Sequence, residues 1–262
     1  MTFKTEFAVE MTCQGCANTV EKALAKAEGV SRFDIDVANK IVTVEGTAPP
    51  SKIHQILRDT GKTVIVRGQS AVDGNHLGAA VCIFHDSEYL PNPQLADPGH
   101  RKGLARIVQV SPDVCAIDVT VSGLTPGPHG IHIHALGNIS AGAASTGPHF
   151  NPTGVTHGDS ETGHVGDLGN IMVRADGWGD LLLESRRIRV DDIIGRSVVI
   201  TQAADDLGRR GADDPQSGID GNSGPGVLCG IVARSAGAFQ NTKQVCECSG
   251  KTLWEEAKES QL

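Results

Sequence analysis

Gly130-Ile131-His132-Ile133-His134-Ala135-Leu136 alternates apolar and imidazole side chains, and on a strand this period of two sends Ile131 and Ile133 to one face and both histidines to the other. Two neutral imidazoles on one face are half a metal site. His129, at an odd offset from His132, lies on the opposite face and reads as a structural histidine. Seven comparable runs flank this one: AAVCIF (79–84), LARIVQV (104–110), CAIDVTV (115–121), GNIMVRA (169–175), GDLLLES (179–185), RSVVITQ (196–202) and LCGIVA (228–233). Short β-branched runs broken by Gly, Pro and Asp predict an all-β sandwich or Greek-key barrel over residues 79–235. Two long segments between them, 137–165 and 203–227, hold no convincing strand. Loops of that length are usually functional, and the first carries His149, His157 and His164.

Upstream the pattern changes to strand (4–10), helix (16–27), strands (32–37 and 40–45), helix (51–59) and strand (63–67). This is the βαββαβ order of an α+β, ferredoxin-like domain over residues 1–68, and Val20, Leu24 and Ala27 give its first helix an apolar stripe. A Gly-, Ser- and Asn-containing linker, 69–78, separates the two domains. Charge divides at the same place: residues 1–67 carry nine basic and eight acidic side chains, leaving 14 and 23 for the rest. Beyond Ser235 the composition turns polar, and residues 236–262 read as a largely disordered, mobile tail containing Cys246-Glu247-Cys248 and Trp254.

The chain of 262 residues has a net charge of −8, so it lacks the clustered cations that nucleic acid requires. No run approaches the roughly 18 apolar residues of a membrane span. MTFKTEFAVE at the start has no apolar core of a secretory signal, which predicts a cytoplasmic protein. Four of the seven cysteines form two close pairs, Cys13/Cys16 and Cys246/Cys248. In a reducing compartment such pairs serve metal or redox chemistry. Cys82 and Cys115 lie in apolar runs and read as buried hydrophobes.

Met11-Thr12-Cys13-Gln14-Gly15-Cys16 falls between a strand and the start of a helix, where N–H groups and the helix dipole favour thiolates. Two soft sulfurs suit low-coordinate Cu(I) better than zinc, which wants about four ligands. A thioredoxin-like redox pair is the competing reading. The sequence resembles the heavy-metal-associated domain of copper carriers, which places MTCxxC after the first strand of the same βαββαβ order. Met11 reads as a core anchor under the loop. Lys62 stands where such domains put a cation near the metal, and a solvated lysine reads equally well.

Gly147-Pro148-His149-Phe150-Asn151-Pro152, His157 and His164-Val165-Gly166-Asp167-Leu168-Gly169-Asn170 supply three imidazoles and a carboxylate, a closed set that suits structural zinc. With the HxH pair and Ala204-Asp205-Asp206-Leu207-Gly208, this stretch resembles Cu,Zn superoxide dismutase. The resemblance implies zinc on His149, His157, His164 and Asp167, with Asp205 hydrogen-bonded to His132 and His157. Of the four copper histidines of that family, three positions match, His132, His134 and the shared His149. Thr201 replaces the fourth copper histidine and Gly226 the substrate-guiding arginine. Residues 205–226 carry five Asp and two Arg, which repels an anion. Ala143 replaces the disulfide partner of Cys229. These departures predict negligible dismutase activity.

The MTCxxC domain, the inactive dismutase-like barrel and the CxC tail together resemble the copper chaperones of superoxide dismutase. That resemblance implies Cu(I) on Cys13, Cys16, Cys246 and Cys248, and a heterodimer with apo dismutase through Leu136, Gly137, Ile194, Gly195 and residues 230–233, including Gly230 and Ile231. The tail thiols would deliver copper and help oxidise the target's disulfide. A homodimer and a copper transporter as copper source are further expected partners. An active dismutase with a fused copper-loading domain, and a thiol store buffering Cu(I), are the alternatives. Ser260-Gln261-Leu262 is close to the S-K-L address, which adds a peroxisomal pool, beside a mitochondrial intermembrane pool, to the cytoplasmic expectation.

Overall fold

The computed structural model describes residues 2–71, 77–88, 101–237 and 254, and the chain divides into two compact units, the second built on Ala80–Ile107 and Asp113–Arg234. In the first unit, β1 (Phe3–Val9), α1 (Gln14–Leu24), β2 (Val30–Asp36), β3 (Ile41–Gly46), α2 (Pro50–Arg58) and β4 (Val64–Ala71) make the expected βαββαβ fold. Its sheet order is β2-β3-β1-β4. Phe7, Val9, Val42, Val44 and Val64 on the sheet meet Val20, Leu24, Ile53 and Leu57 of the helices in one core. Each such side chain contributes about 1.5–3 kcal/mol when fully buried. Met11 is buried in that core and anchors the loop above it.

Two boundaries differ from the sequence reading. The first helix starts at Gln14, so Cys13 is its N-cap and Cys16 lies in its first turn. β4 runs on to Ala71, into the stretch read as linker, because Gly68, Gln69, Ser70 and Ala71 pair with Glu6, Thr5, Lys4 and Phe3. A polar edge strand has the composition of a linker, and only its partner reveals it.

The second unit is a closed antiparallel barrel of β5 (Ala79–Asp86), β6 (Lys102–Ser111), β7 (Val114–Ser122), β8 (Gly127–His134), β10 (Asp167–Val173), β11 (Gly179–Ser185), β12 (Ser197–Thr201) and β13 (Gly226–Arg234). The order around the barrel, β10-β11-β7-β6-β5-β13-β12-β8, contains the non-consecutive neighbours of a Greek key. Closure leaves no unpaired edge. Ile107, Ile117, Ile131, Ile133, Ile171, Val198 and Ile200 fill the interior, and buried Cys82 and Cys115 have thiols pushed up to about 12 by desolvation. The segments read as strandless contain the short β9 (Ser140–Ala143), a turn of 3-10 helix (Gly211–Asp213) and α4 (Ser217–Asp220), while α3 (Val190–Ile193) precedes β12. β9 escaped notice because Ser-Ala-Gly-Ala has neither β-branching nor alternation.

β8 lies between β10 and β12, with Asp167 opposite His132 on one side and Val199 on the other. The middle and the far end of the long loop after β8 are held by one residue of that strand. The Ile133 N–H donates to the Gly166 carbonyl (2.8 Å) and its carbonyl accepts from the Phe150 N–H (2.7 Å). A side chain on Gly166 would collide with the Ile133 carbonyl. This clamp brings His149 and Asp167 to His132 and His134.

Candidate metal centres

In the first unit, Cys13 is exposed and Cys16 half-buried, with their sulfurs 3.8 Å apart. The Cys13 carbonyl accepts from the N–H groups of Cys16 (3.0 Å) and Ala17 (3.4 Å), opening α1 without a side-chain cap. The backbone and hydroxyl of Thr12 donate to the Cys16 sulfur, and the Cys13 thiol and the Lys62 ammonium add smaller contributions. Together they lower the Cys16 thiol to about 6, so it is largely thiolate at neutral pH. Lys62 therefore has a partner in the loop.

On the barrel, His149, His157, His164 and Asp167 are all buried, with one ligand atom of each within 4.8 Å of the others. The three Nδ1 atoms surround one carboxylate: those of His149 and His164 lie 2.8 and 3.3 Å from Asp167 Oδ1, and that of His157 lies 2.9 Å from Oδ2. The Nδ1 atoms of His149 and His164 are 3.5 Å apart. Tetrahedral zinc with bonds of about 2.0–2.1 Å separates its ligands by roughly 3.3 Å, so the donor set fits after His149 and His157 part slightly from the carboxylate. Buried His157 Nδ1 is close to Asp167 but poorly directed for a hydrogen bond to it, so the contact is mainly one of charge.

Electrostatics follow from this crowding. Burial opposes ionisation of Asp167, but the hydrogen bond from His149 and the close His157 imidazole win and hold it far below the carboxylate range. Burial likewise opposes charge on His157, yet Asp167 and Asp205 raise it to about 9. Burial lowers His132 to about 4 and His134 to about 3, so both are neutral imidazoles at physiological pH.

Asp205 spans two clusters: His157 Nε2 donates to one carboxylate oxygen (2.8 Å) and His132 Nε2 to the other (2.9 Å). Four groups to which sequence reasoning gave no role support these clusters. Asn170 grips the Asp205 backbone at both its N–H (2.8 Å) and its carbonyl (2.9 Å). Gly221, at φ +69°, leaves room where a Cβ would collide with Asp205 and His157. The Thr146 hydroxyl (2.8 Å) and the Gly147 carbonyl (2.7 Å) fix Nδ1 of His134. Only tertiary contact reveals these roles, although the HVGDLGN run already contained Asn170.

His132, His134 and His149 form a second group of ligand atoms within 4.8 Å of one another. His132 Nδ1 and His134 Nε2 are buried without hydrogen-bond partners. The Thr201 hydroxyl lies 3.2 Å from the Gly130 carbonyl and 3.1 Å from that of Ala203, the acceptors open to its single proton. A Cβ on Gly226 would collide with Ala143 and Val199, so β9 occupies that space. Cys229 is buried and its thiol raised by desolvation to about 11. His129 stands apart from the clusters: its Nδ1 is 2.8 Å from the Thr201 carbonyl, and its Nε2 is 2.8 Å from the Thr125 carbonyl and 3.3 Å from the Thr125 hydroxyl.

Of the expected partner face, Leu136 (52%) and Ile231 (40%) are exposed. Gly137 packs against the Gly195 carbonyl and the Ile231 side chain, and Ile194 is partly buried against the core. Gly230 departs from the expectation: it is buried, and a side chain there would collide with the Ile83 carbonyl, so it lets β13 approach β5. Cys246, Cys248 and Ser260-Gln261-Leu262 lie outside the described residues. Trp254 is described, its ring 5.5 Å from the Lys40 ammonium. No helix among the described residues is long and apolar enough to cross a membrane.

Residues 6–63 match the heavy-metal-associated domain and residues 101–232 the copper/zinc superoxide dismutase family. Similar along nearly the whole chain is the copper chaperone for superoxide dismutase of Homo sapiens, 42% identical over 254 residues that cover 96% of this chain and 88% of that protein. The superoxide dismutase 1 copper chaperone of Debaryomyces hansenii is 38% identical over 269 residues, 98% and 96% of the two chains. An Arabidopsis thaliana copper chaperone for superoxide dismutase, chloroplastic/cytosolic, is 32% identical over 251 residues, 96% and 69%.

Proposed function

The chain belongs to the family of copper chaperones for superoxide dismutase, and on that premise we propose that it carries Cu(I) on Cys13 and Cys16 and delivers it to apo Cu,Zn superoxide dismutase. The observation that carries this reading is the contrast between a thiol pair at the surface, Cys13 exposed and Cys16 a half-buried, stabilised thiolate, and a barrel whose three-histidine group has a hydroxyl, committed to carbonyls, where a fourth imidazole would stand. The first can pass a soft ion on. The second is poorly made for a redox copper, and with Gly226 in place of a guiding cation the barrel acts as a recognition module without dismutase activity.

In this reading His149, His157, His164 and Asp167 hold zinc, which when bound ties the long loop to the start of β10 as a closed structural site. Asp205 holds His157 by its far nitrogen and so fixes which nitrogen faces the ion. The partner face is the patch of Leu136, Gly137, Gly195 and Ile231, with Ile194 and residues 230–233 beneath and beside it. A barrel that keeps this face can meet a true dismutase as two like barrels meet, by an isologous contact. Cys246 and Cys248 pass copper on and promote disulfide formation in the target by thiol–disulfide exchange.

Transfer from the Cu(I)-loaded full chain to apo dismutase, followed by the target's copper content and disulfide, tests the scheme. Cys13→Ser with Cys16→Ser should remove Cu(I) from the first domain. Cys246→Ser with Cys248→Ser should abolish target maturation while leaving heterodimer formation and barrel zinc intact. Unchanged maturation by the tail variant would sink the tail's assigned role. Robust superoxide turnover by the copper- and zinc-loaded chain would favour an active dismutase, and no complex with apo dismutase on gel filtration would favour a thiol store.

A further inference from the structure

Arg187 lies between β11 and α3, outside every cluster described above, yet its guanidinium binds the loop that carries His164. Nη1 donates to the carbonyls of Ser160 (3.1 Å) and His164 (3.4 Å), and Nη2 donates to that of Gly163. Arg186 and Arg189 beside it are exposed, while Arg187 is half-buried. A planar fork of donors suits several carbonyls at once, where an ammonium offers one point of charge. The turn it grips is wound tightly. Asp159 Oδ1 accepts from the N–H groups of Glu161 (3.1 Å) and Thr162 (2.8 Å), and the Gly163 N–H donates to the Asp159 carbonyl (2.9 Å). A Cβ on Gly163 would collide with Gly158 and approach Asp167 Oδ2. The N–H groups on the inner side of this loop serve Asp167: those of His164 (2.7 Å) and Gly158 (3.2 Å) both donate to its Oδ2. Arg187 thus holds the outer, carbonyl side of the same turn whose inner side orients the carboxylate.

We propose that Arg187 is a positioning residue of the buried cluster, fixing the 158–167 loop so that His164 and Asp167 present their ligand atoms to a metal ion. The inference rests on the reading of that cluster as a zinc site. The sign of the effect separates positioning from simple electrostatics. A guanidinium near a dication repels it, so if charge governed, a neutral residue would raise zinc affinity. If positioning governs, the neutral residue lowers it.

Zinc affinity of the full chain by competition with a chromophoric chelator, and amide hydrogen exchange of the zinc-free protein, test this. Arg187→Gln should bind zinc about 10–100-fold more weakly and exchange faster in residues 158–167 while the barrel strands keep their protection. Arg187→Lys, which keeps the charge but not the fork, should fall between the two. Equal or higher zinc affinity in Arg187→Gln, or faster exchange across the whole barrel, overturns the proposal while leaving the zinc reading intact. A wild-type chain that takes no zinc overturns both.

Discussion

The thiol pair of the first unit and the buried cluster of the barrel hold their ligand atoms by opposite means. Cys13 and Cys16 stand at a helix start near the surface, and Cys16 is kept as thiolate by donors from Thr12, Cys13 and Lys62. His149, His157, His164 and Asp167 are buried and mutually bonded, with Asp205, Asn170 and Gly221 behind them. An ion on this pair can be met at the exposed Cys13 sulfur by an incoming thiolate and passed on by ligand exchange. An ion enclosed by four buried groups leaves only if the loop opens. The difference suits the proposed roles, cargo at the first site and a resident metal at the second.

The largest effect that tests this contrast is removal of the carboxylate at the centre of the cluster. Zinc should stabilise the wild-type barrel by about 4 kcal/mol at a free concentration a thousandfold above its Kd. Asp167→Ala should lose nearly all of that gain at the same free zinc, measured as the zinc-dependent shift in thermal unfolding. Cu(I) binding to Cys13 and Cys16 should be unchanged. Full zinc stabilisation of the variant would break the assignment of the cluster.

A smaller effect is the proton balance of zinc binding. His157 is raised to about 9, against the desolvation that opposes it, by Asp167 and Asp205. Its folded value lies above the ordinary 6.5, so its charged form stabilises the zinc-free barrel fully below pH 6.5, and that contribution is lost as pH rises through about 9. Zinc needs the neutral imidazole. At pH 7.5 binding should therefore release about one proton from His157, and above pH 9 this release should fade, as read with an indicator dye in weak buffer. Asp205→Asn should diminish the release at pH 7.5 and weaken zinc by about 10–100-fold. Release independent of pH between 7 and 10 would show that another group sets the balance.

How far these sites were legible in the sequence depends on whether their residues are adjacent along the chain. Cys13 and Cys16 are neighbours on one turn, and His132 and His134 share a strand face by period alone. His149, His164 and Asp167 stood out within contiguous runs. Asn170, Gly221, Thr146 and Arg187 act only through partners brought near by folding. Gly221 meets Asp205 and His157 across long loops, and Arg187 reaches the carbonyls of Ser160, Gly163 and His164 from the segment after β11. The fold was legible for a similar reason: both cores are made of locally periodic side chains, whereas β9 and the end of β4 exist only as partners of other strands.

The finest test concerns what makes the Cys16 thiol acidic. Burial raises the thiol here but is outweighed; the Thr12 backbone and hydroxyl are the leading causes of its fall to about 6. Thr12→Ala removes the hydroxyl and keeps the backbone donor, so the pH midpoint for alkylation of Cys16, followed by peptide-resolved mass spectrometry, should move part of the way back towards 9. Because only the thiolate reacts, the rate at pH 7 should fall about threefold. Lys62→Met, which removes the smallest of the lowering contributions, should move the midpoint less than Thr12→Ala. A larger shift from Lys62→Met would mean that charge, not directed hydrogen bonding, tunes the site. The two metal centres would then differ in burial alone, and the thiol pair's readiness to release its ion would depend on ionic strength.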